Sequence, residues 1–284
     1  MALVDRVSGE NKPMNTLILL LRRVRAFVVR DFQLTVSYRM DFALRVLSVL
    51  LVVTTLFFIA QIFGGQSATP LAAWRDPLAA WITGLAVLNY FMTSFSSLAN
   101  AVRAEQAQGT LESLLMTPIN IPTLVIASSA WDFVQATFFS SLYIFFGWFL
   151  FGVRFRGSFL LALVFLILTT LVLASIGILS ASFAMVFKRG DPFSVFLGTG
   201  AALFSGVFFP TEFLGSFRVI SRLLPPTYGL EGIRRVLIEG RSFAEVRDPF
   251  LALCAFLAVL LPFALWVFAR AIARAKREGS LVQY

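Results

Sequence analysis

Residues 159–187 read FLLALVFLILTTLVLASIGILSASFAMVF, an apolar run without a single Asp, Glu, Lys or Arg. A helix needs about 20 apolar residues to cross the roughly 30 Å hydrocarbon core of a bilayer. Backbone N–H and C=O groups in hydrocarbon have no water to bond, so a run of this kind satisfies them internally as a helix. At 1.5 Å per residue it outreaches the core by roughly 15 Å, which predicts tilt or projection beyond the membrane.

Five more segments read the same way on either side of it. Upstream lie 124–153, of similar length, then 78–102 and 42–63; downstream lie 193–209, which is short, and 250–272, which carries Pro262. The fold class is therefore an all-α polytopic membrane protein with six transmembrane helices. A polar tail over 1–16 precedes a single transmembrane domain over 17–272, and a tail over 273–284 follows. No internal repeat accompanies the spans. Residues 1–15 are polar and mixed in charge, which does not fit a cleavable signal peptide.

Composition points to the same solvent. Hydrophobic residues make up 58% of the chain and charged residues 14%, where a soluble domain carries roughly 25% charged. Mean hydropathy is +0.84. The net charge of +9 does not imply nucleic acid, because the basic residues flank the apolar runs, as topology signals do. The chain contains no histidine and a single cysteine, Cys254, inside an apolar run. That removes the commonest general base and metal ligand, and any intrachain disulfide.

Lys and Arg set the expected orientation. With the amino terminus in the cytoplasm, most of the 24 basic residues fall inside, from Arg6 to Arg45, at Arg103, Lys188 and Arg189, and from Arg270 to Arg277. Both termini are then cytoplasmic, in a bacterial-type plasma (inner) membrane. Before the first span, Leu20, Leu21, Val24, Phe27 and Val28 share a helical face opposite Arg22, Arg23, Arg25 and Arg30. Residues 17–39 thus read as an amphipathic helix lying in the interface, a topology anchor or part of a cytosolic gate.

Two connections carry more information. The cytoplasmic one, 103–118, reads RAEQAQGTLESLLMTP. Gly109 interrupts the polar extension of the second span, and Thr110 can cap a new helix with Glu112 in its first turn. Leu111, Leu114 and Leu115 share a face, and Pro118 limits the helix to about two turns. An exposed apolar face on so short a helix suits docking into a partner's groove; an ordinary interfacial loop reads equally well.

The outer connection spans 210–248. Pro210 closes the short fifth span, Leu214, Phe217, Ile220 and Leu224 recur at helical spacing, and Pro225-Pro226 break that helix. A second helix from Tyr228 to Ile238 follows, ahead of Gly240. Two short amphipathic helices after a truncated span read as a re-entrant hairpin in the outer leaflet, or as a surface cap. Irregular backbone at such depth requires protein or water over it.

Asp132 is the one carboxylate well inside an apolar stretch, in the run Ser128-Ser-Ala-Trp-Asp-Phe133. Intramembrane charges are costly and mark candidate function, but this one lies near the start of its span. A salt bridge to Arg103 or to an arginine of the amino-terminal helix is the structural alternative. No G-x-x-x-x-G-K-[ST] loop occurs, so a phosphate cradle of that kind would have to sit on another chain. An ion-coupled carrier would need more than one intramembrane ionisable group. A membrane-embedded transferase would need a carboxylate cluster, for which only Glu212, Glu231, Glu239 and Asp248 offer themselves, and these alternate with arginines.

The order of these features is distinctive. A basic amphipathic helix and two spans lead to Glu105…Gly109-Thr110-Leu111-Glu112…Thr117-Pro118. Three spans then lead to Gly206-Val-Phe-Phe-Pro210…Leu224-Pro225…Tyr228…Glu231-Gly232-Ile233-Arg234 and a last span. The chain past residue 15 resembles the permease subunits of type-2 ABC exporters, the family of drug, nodulation-factor and polysaccharide exporters. The resemblance implies that 103–118 is a coupling segment docking on a separate ATPase, with Glu105, Gly109, Thr110, Leu111, Glu112, Leu115 and Pro118 in that role. It implies a re-entrant outer hairpin carrying Pro210, Phe217, Leu224, Pro225, Tyr228, Glu231 and Arg234. Two permeases, as a homodimer, would pair around the pathway with two ATPase copies. ATP and Mg would belong to the partner, with no cofactor, metal or catalytic residue in this chain. After Pro210 the family often places a second proline, where this chain reads Thr-Glu-Phe-Leu-Gly-Ser. The implied activity is ATP-driven export of an amphipathic or hydrophobic compound by alternating access, or of a lipid-linked glycan by the same machinery.

Overall fold

The computed structural model describes residues 25, 28–33, 35–63, 74, 76–107, 121–187 and 192–277. Every regular element among them is helical. In chain order these are α1 (Arg39–Phe63), α2 (Pro77–Ala107), α3 (Ile121–Phe151), α4 (Phe159–Phe187) and α5 (Pro192–Phe204), followed by a 3₁₀ turn (Thr211–Phe217). Then come α6 (Arg218–Leu223), α7 (Pro225–Leu237), a second 3₁₀ turn (Phe243–Val246) and α8 (Arg247–Arg277). Five helices, α1, α2, α3, α4 and α8, are long and apolar enough to cross a membrane. Of the expected amino-terminal helix, residues 25, 28–33 and 35–39 are described, and all but the turn at Tyr38 are helical.

α2 lies at the centre. Two thirds of its membrane-length window is buried, 67%, against 11% for α1 and for α8. It packs on α3 and on α4, α4 packs on α8, and α1 leans on α3. The reason is in its residue sizes. Ala79, Ala80, Ala86, Ser94 and Ser97 are all buried and let neighbouring helices approach closely. Lipid is as apolar as leucine, so helices in a membrane associate through such close packing and through interhelical hydrogen bonds. Ser140 Oγ of α3 donates to the Ala86 carbonyl at 2.7 Å, and Asn89 Nδ2 donates to the Ala136 carbonyl at 3.1 Å. On the other side a side chain at Gly177 of α4 would collide with the Ser94 carbonyl.

Large apolar residues fill what remains. Phe91, Phe95, Phe165, Val172, Leu173, Leu230, Ile233 and Leu253 form one core between α2, α4, α7 and α8; Val49, Val53, Leu78, Ile82 and Val153 form a second between α1, α2 and α3. Pro262 lies inside α8 without ending it.

Five of the six expected spans fall on α1, α2, α3, α4 and α8, with shifted ends. The clearest difference is the fifth, expected over 193–209: α5 is a 13-residue helix ending at Phe204. Gly206 takes a φ of +85°, a left-handed conformation that glycine adopts without strain and that ends helices. At 1.5 Å per residue α5 is about 20 Å long. The two helices after it also differ from expectation. The first is a 3₁₀ stretch, kinked within itself at Gly215 with φ 52°, followed by the six-residue α6. The second begins at the two prolines, which occupy the first turn of α7; their missing N–H groups cost nothing there.

Candidate functional site

The backbone between α5 and α6 leaves a helix in the middle of an apolar structure, so its carbonyls need donors. Three side chains supply four of them. Ser221 Oγ of α6 donates to the Phe204 carbonyl at 2.5 Å, and Trp81 Nε1 of α2 donates to the Phe208 carbonyl at 2.8 Å. Arg234 of α7 serves the two between. Its Nη1 donates to the Gly206 carbonyl at 2.5 Å and its Nη2 to the Val207 carbonyl at 3.0 Å. The same guanidinium reaches α2, where Nε and Nη2 donate to the Ala80 carbonyl at 3.2 and 2.7 Å. Trp74 lies against it, ring centroid 4.6 Å from Cζ, a cation–π contact.

One arginine therefore ties the start of α2, the end of α5 and the middle of α7. Two glycines keep the space for it. A Cβ at Gly84 would lie 2.8 Å from Arg234 Nη2 and 2.9 Å from the Val207 carbonyl. A Cβ at Gly232 would strike the Phe165 ring, so α7 could not sit on α4. Desolvation lowers the Arg234 pKa to about 9. The side chain still lines a cavity, and it remains a cation at neutral pH.

The far end of α7 is fixed by backbone. Arg156 and Gly157 N–H groups both donate to the Leu237 carbonyl, at 2.9 and 3.3 Å. The amphipathic pattern of α7 explains its placement. Leu230, Ile233, Val236 and Leu237 are buried in the core, while Thr227, Glu231, Arg234 and Arg235 turn to a cavity of about 830 Å³. The α5–α6 connection and the start of α2 complete its wall through Ser205, Gly206, Pro210, Glu212, Trp74 and Asp76. The wall is rich in charge, and most of the charges are paired. Glu231 pairs with Arg235 at 2.5 Å, and Arg241 with Glu245 at 2.6 Å and Glu239 at 3.2 Å. Arg218 stands 4.0 Å from Glu212, and Asp76 Oδ1 accepts the Ala79 N–H at 2.9 Å as the cap of α2.

Of the residues expected on the outer hairpin, Pro210, Glu231 and Arg234 line this cavity. Pro225 is buried as the first residue of α7, with Leu224 just before it. Tyr228 Oη donates to the Arg222 carbonyl at 2.8 Å, and its ring meets Phe256 of α8 at 5.9 Å. Phe217 is exposed, as are Phe213, Val219 and Leu223. On α6 the buried side chain is Ser221, and Ile220 of the expected apolar face is exposed. Trp74, Trp81, Gly84, Ser221 and Thr227 were not singled out in the sequence. The two indoles carried the available signal, a donor near a broken helix.

The opposite end of the molecule is partly described. α2 continues as helix from Leu98 to Ala107, past its apolar window. Gly109, Thr110, Leu111, Glu112, Leu115 and Pro118 lie outside the described residues, and of Glu105 only the helical backbone is described. Phe32 and Thr35 sit against α3. Trp131 Nε1 and Gln135 Nε2 donate to Thr35 Oγ1 at 3.0 and 3.3 Å, and Phe32 meets the Trp131 ring edge-on at 5.7 Å. Asp132, the next residue, makes no ion pair among the described residues; the side chain of Arg103 and residues 1–24, its expected partners, lie outside them. No group of three or more His, Cys, Asp or Glu able to hold a metal occurs among the described residues.

A family model described as ABC-2 type transporter matches residues 22–238, most of the chain. The chain belongs to the ABC-2 type transporter family. No curated protein matches it. Family membership makes this a multi-pass membrane component of an ABC transporter and not itself a catalyst, with ATP hydrolysis on a separate subunit. The ion-coupled carrier and transferase readings are set aside with it. Within this ABC-2 protein the match takes in α1 through α7 and ends one residue beyond α7.

Proposed function

We propose that this ABC-2 protein is the permease of an ATP-driven exporter that moves an amphipathic or hydrophobic compound from the cytoplasm or inner leaflet by alternating access. The observation that carries the reading is the extension of α2. Its helix runs nine residues past Leu98, or about 14 Å, which carries residues 103–107 beyond the apolar window and supports a coupling segment within reach of a soluble ATPase. Glu105, Gly109, Thr110, Leu111, Glu112, Leu115 and Pro118 form the coupling element in this reading. Two permease copies pair around the path, each with one ATPase subunit that binds ATP and Mg.

Six spans, with α5 as the short fifth, place both termini in the cytoplasm of a bacterial-type inner membrane. Residues 17–39 lie in the cytoplasmic leaflet, seated on α3 through Thr35, and α6 and α7 form the re-entrant hairpin at the exit. The charged cavity beside α7 favours one second reading, a lipid-linked glycan as cargo.

Co-purification tests the coupling element. The chain, expressed with its genomic neighbours and extracted in mild detergent, is expected to bring down a P-loop ATPase in equal stoichiometry. Leu115→Asp or Glu112→Arg is expected to release it without loss of membrane insertion. Normal transport by both variants would show that 103–118 is not the coupling element.

A further inference from the structure

Two polar groups in the cavity beside α7 are not accounted for by the fold. The first is on Arg234. A guanidinium has five N–H donors, and carbonyls take four of them, one on Nε, one on Nη1 and two on Nη2. The remaining Nη1 hydrogen has no acceptor among the described residues, and no carboxylate stands within ion-pair distance of the group. The second is Thr227, only 8% exposed, whose hydroxyl has no hydrogen-bond partner. Both residues line the same 830 Å³ space.

Four of the five wall carboxylates are held by three arginines, Arg241 serving both Glu239 and Glu245, and Asp76 caps the start of α2. Arg234 is the wall cation with no carboxylate partner among the described residues; it meets carbonyls and the Trp74 ring. Thr227 lies in the first turn of α7, where the helix dipole adds partial positive charge. Thr227 and Arg234 are seven residues apart, about 10 Å along the axis. Side chains on a helix lean toward its start, so the arginine head closes part of that gap. A group that meets both must be larger than a single ion.

We infer that the cavity beside α7 binds an anionic headgroup, a phosphate or carboxylate carried on a polar stem, with Arg234 meeting the charge and Thr227 the stem. That the cavity opens to the outer leaflet rests on the orientation proposed above; the binding does not. The same chemistry is offered by a membrane phospholipid or an acidic cargo on one side, and by a free anion on the other.

The test uses the purified full-length chain in detergent, titrated calorimetrically with dioctanoyl phosphatidylglycerol, uncharged dioctanoylglycerol and inorganic phosphate. Variants of Arg234 would disturb the fold, so Thr227 is the probe. The phosphatidylglycerol is expected to bind saturably and the uncharged lipid not to bind. Thr227→Val is expected to weaken binding about fivefold, the worth of one neutral hydrogen bond, with no fall in melting temperature, since the hydroxyl has no partner to lose among the described residues. Thr227→Ser is expected to restore binding. Phosphate tenfold or more weaker than the lipid assigns the site to a headgroup; phosphate of equal affinity assigns it to a free anion. Equal binding of the charged and uncharged lipids, or full binding by Thr227→Val, overturns the proposal. No ATPase is needed for any of these titrations, so their failure leaves the exporter reading untouched, and a failed ATPase co-purification leaves the cavity untouched.

Discussion

Replacing Arg234 by alanine would strand the Gly206 and Val207 carbonyls and take away the second bond of the Ala80 carbonyl, which it now serves from one guanidinium. Each buried polar group without a partner costs about 1–3 kcal/mol, so a loss of roughly 3 kcal/mol or more is expected, read as a large fall in melting temperature in detergent. Arg234→Lys is expected to rescue little, because an ammonium cannot fork toward acceptors on three sides; a lysine variant with wild-type melting would show that charge alone suffices. Gly84→Ala probes the same contact from α2. Its Cβ would lie 2.8 Å from Nη2 and 2.9 Å from the Val207 carbonyl, so a cost of about 1–3 kcal/mol from overpacking is expected. An unchanged melting point would mean that the arginine moves aside freely. None of this was legible beforehand. Arg234 could be placed on the second outer helix, but its partner Ala80 lies 154 residues away, and a mid-chain alanine carbonyl leaves no mark in a sequence.

Elements were read better than contacts, because hydropathy reports the solvent of a segment and the bilayer dictates helix there. α4 was placed over Phe159–Phe187 from its letters alone and occupies those residues. Ends were read less well where local geometry overrode composition. The run 205–209 is as apolar as the helix before it, yet Gly206 turns left-handed and α5 stops at Phe204. The prolines at 225 and 226 follow the end of α6, as expected, and also begin α7, three residues ahead of the expected Tyr228. The extension of α2 offers a test at this scale. A helix turns about 100° per residue, so inserting two alanines after Ala104 swings the following segment to the opposite side, and inserting four nearly restores it. Two are expected to abolish ATPase co-purification and four to recover much of it. Equal loss with both insertions would mean that reach, rather than facing, limits docking.

At the scale of the molecule, α2 is the shared wall of two cores, and the helices around it present their apolar surfaces outward. The orientation proposed for the whole is testable with thiol labels, because Cys254 is the chain's single cysteine. In a Cys254→Ser background, Ser8→Cys is expected to react only from the cytoplasm and exposed Arg154→Cys only from outside. Labelling of both from one side would break the six-span topology. The arginine at the centre of the site also has a bearing on how the chain is made. The Ala80 carbonyl is in place early in synthesis, and its donor follows 154 residues later. Throughout that interval the nascent chain holds the start of α2 and then the broken end of α5 without their common tie. Lateral release into lipid before residue 234 leaves the translocon would expose the Gly206 and Val207 carbonyls to hydrocarbon. The α7 segment is thus a condition for the stable insertion of the end of α5, and chains terminated short of Arg234 should be the substrates of membrane quality control.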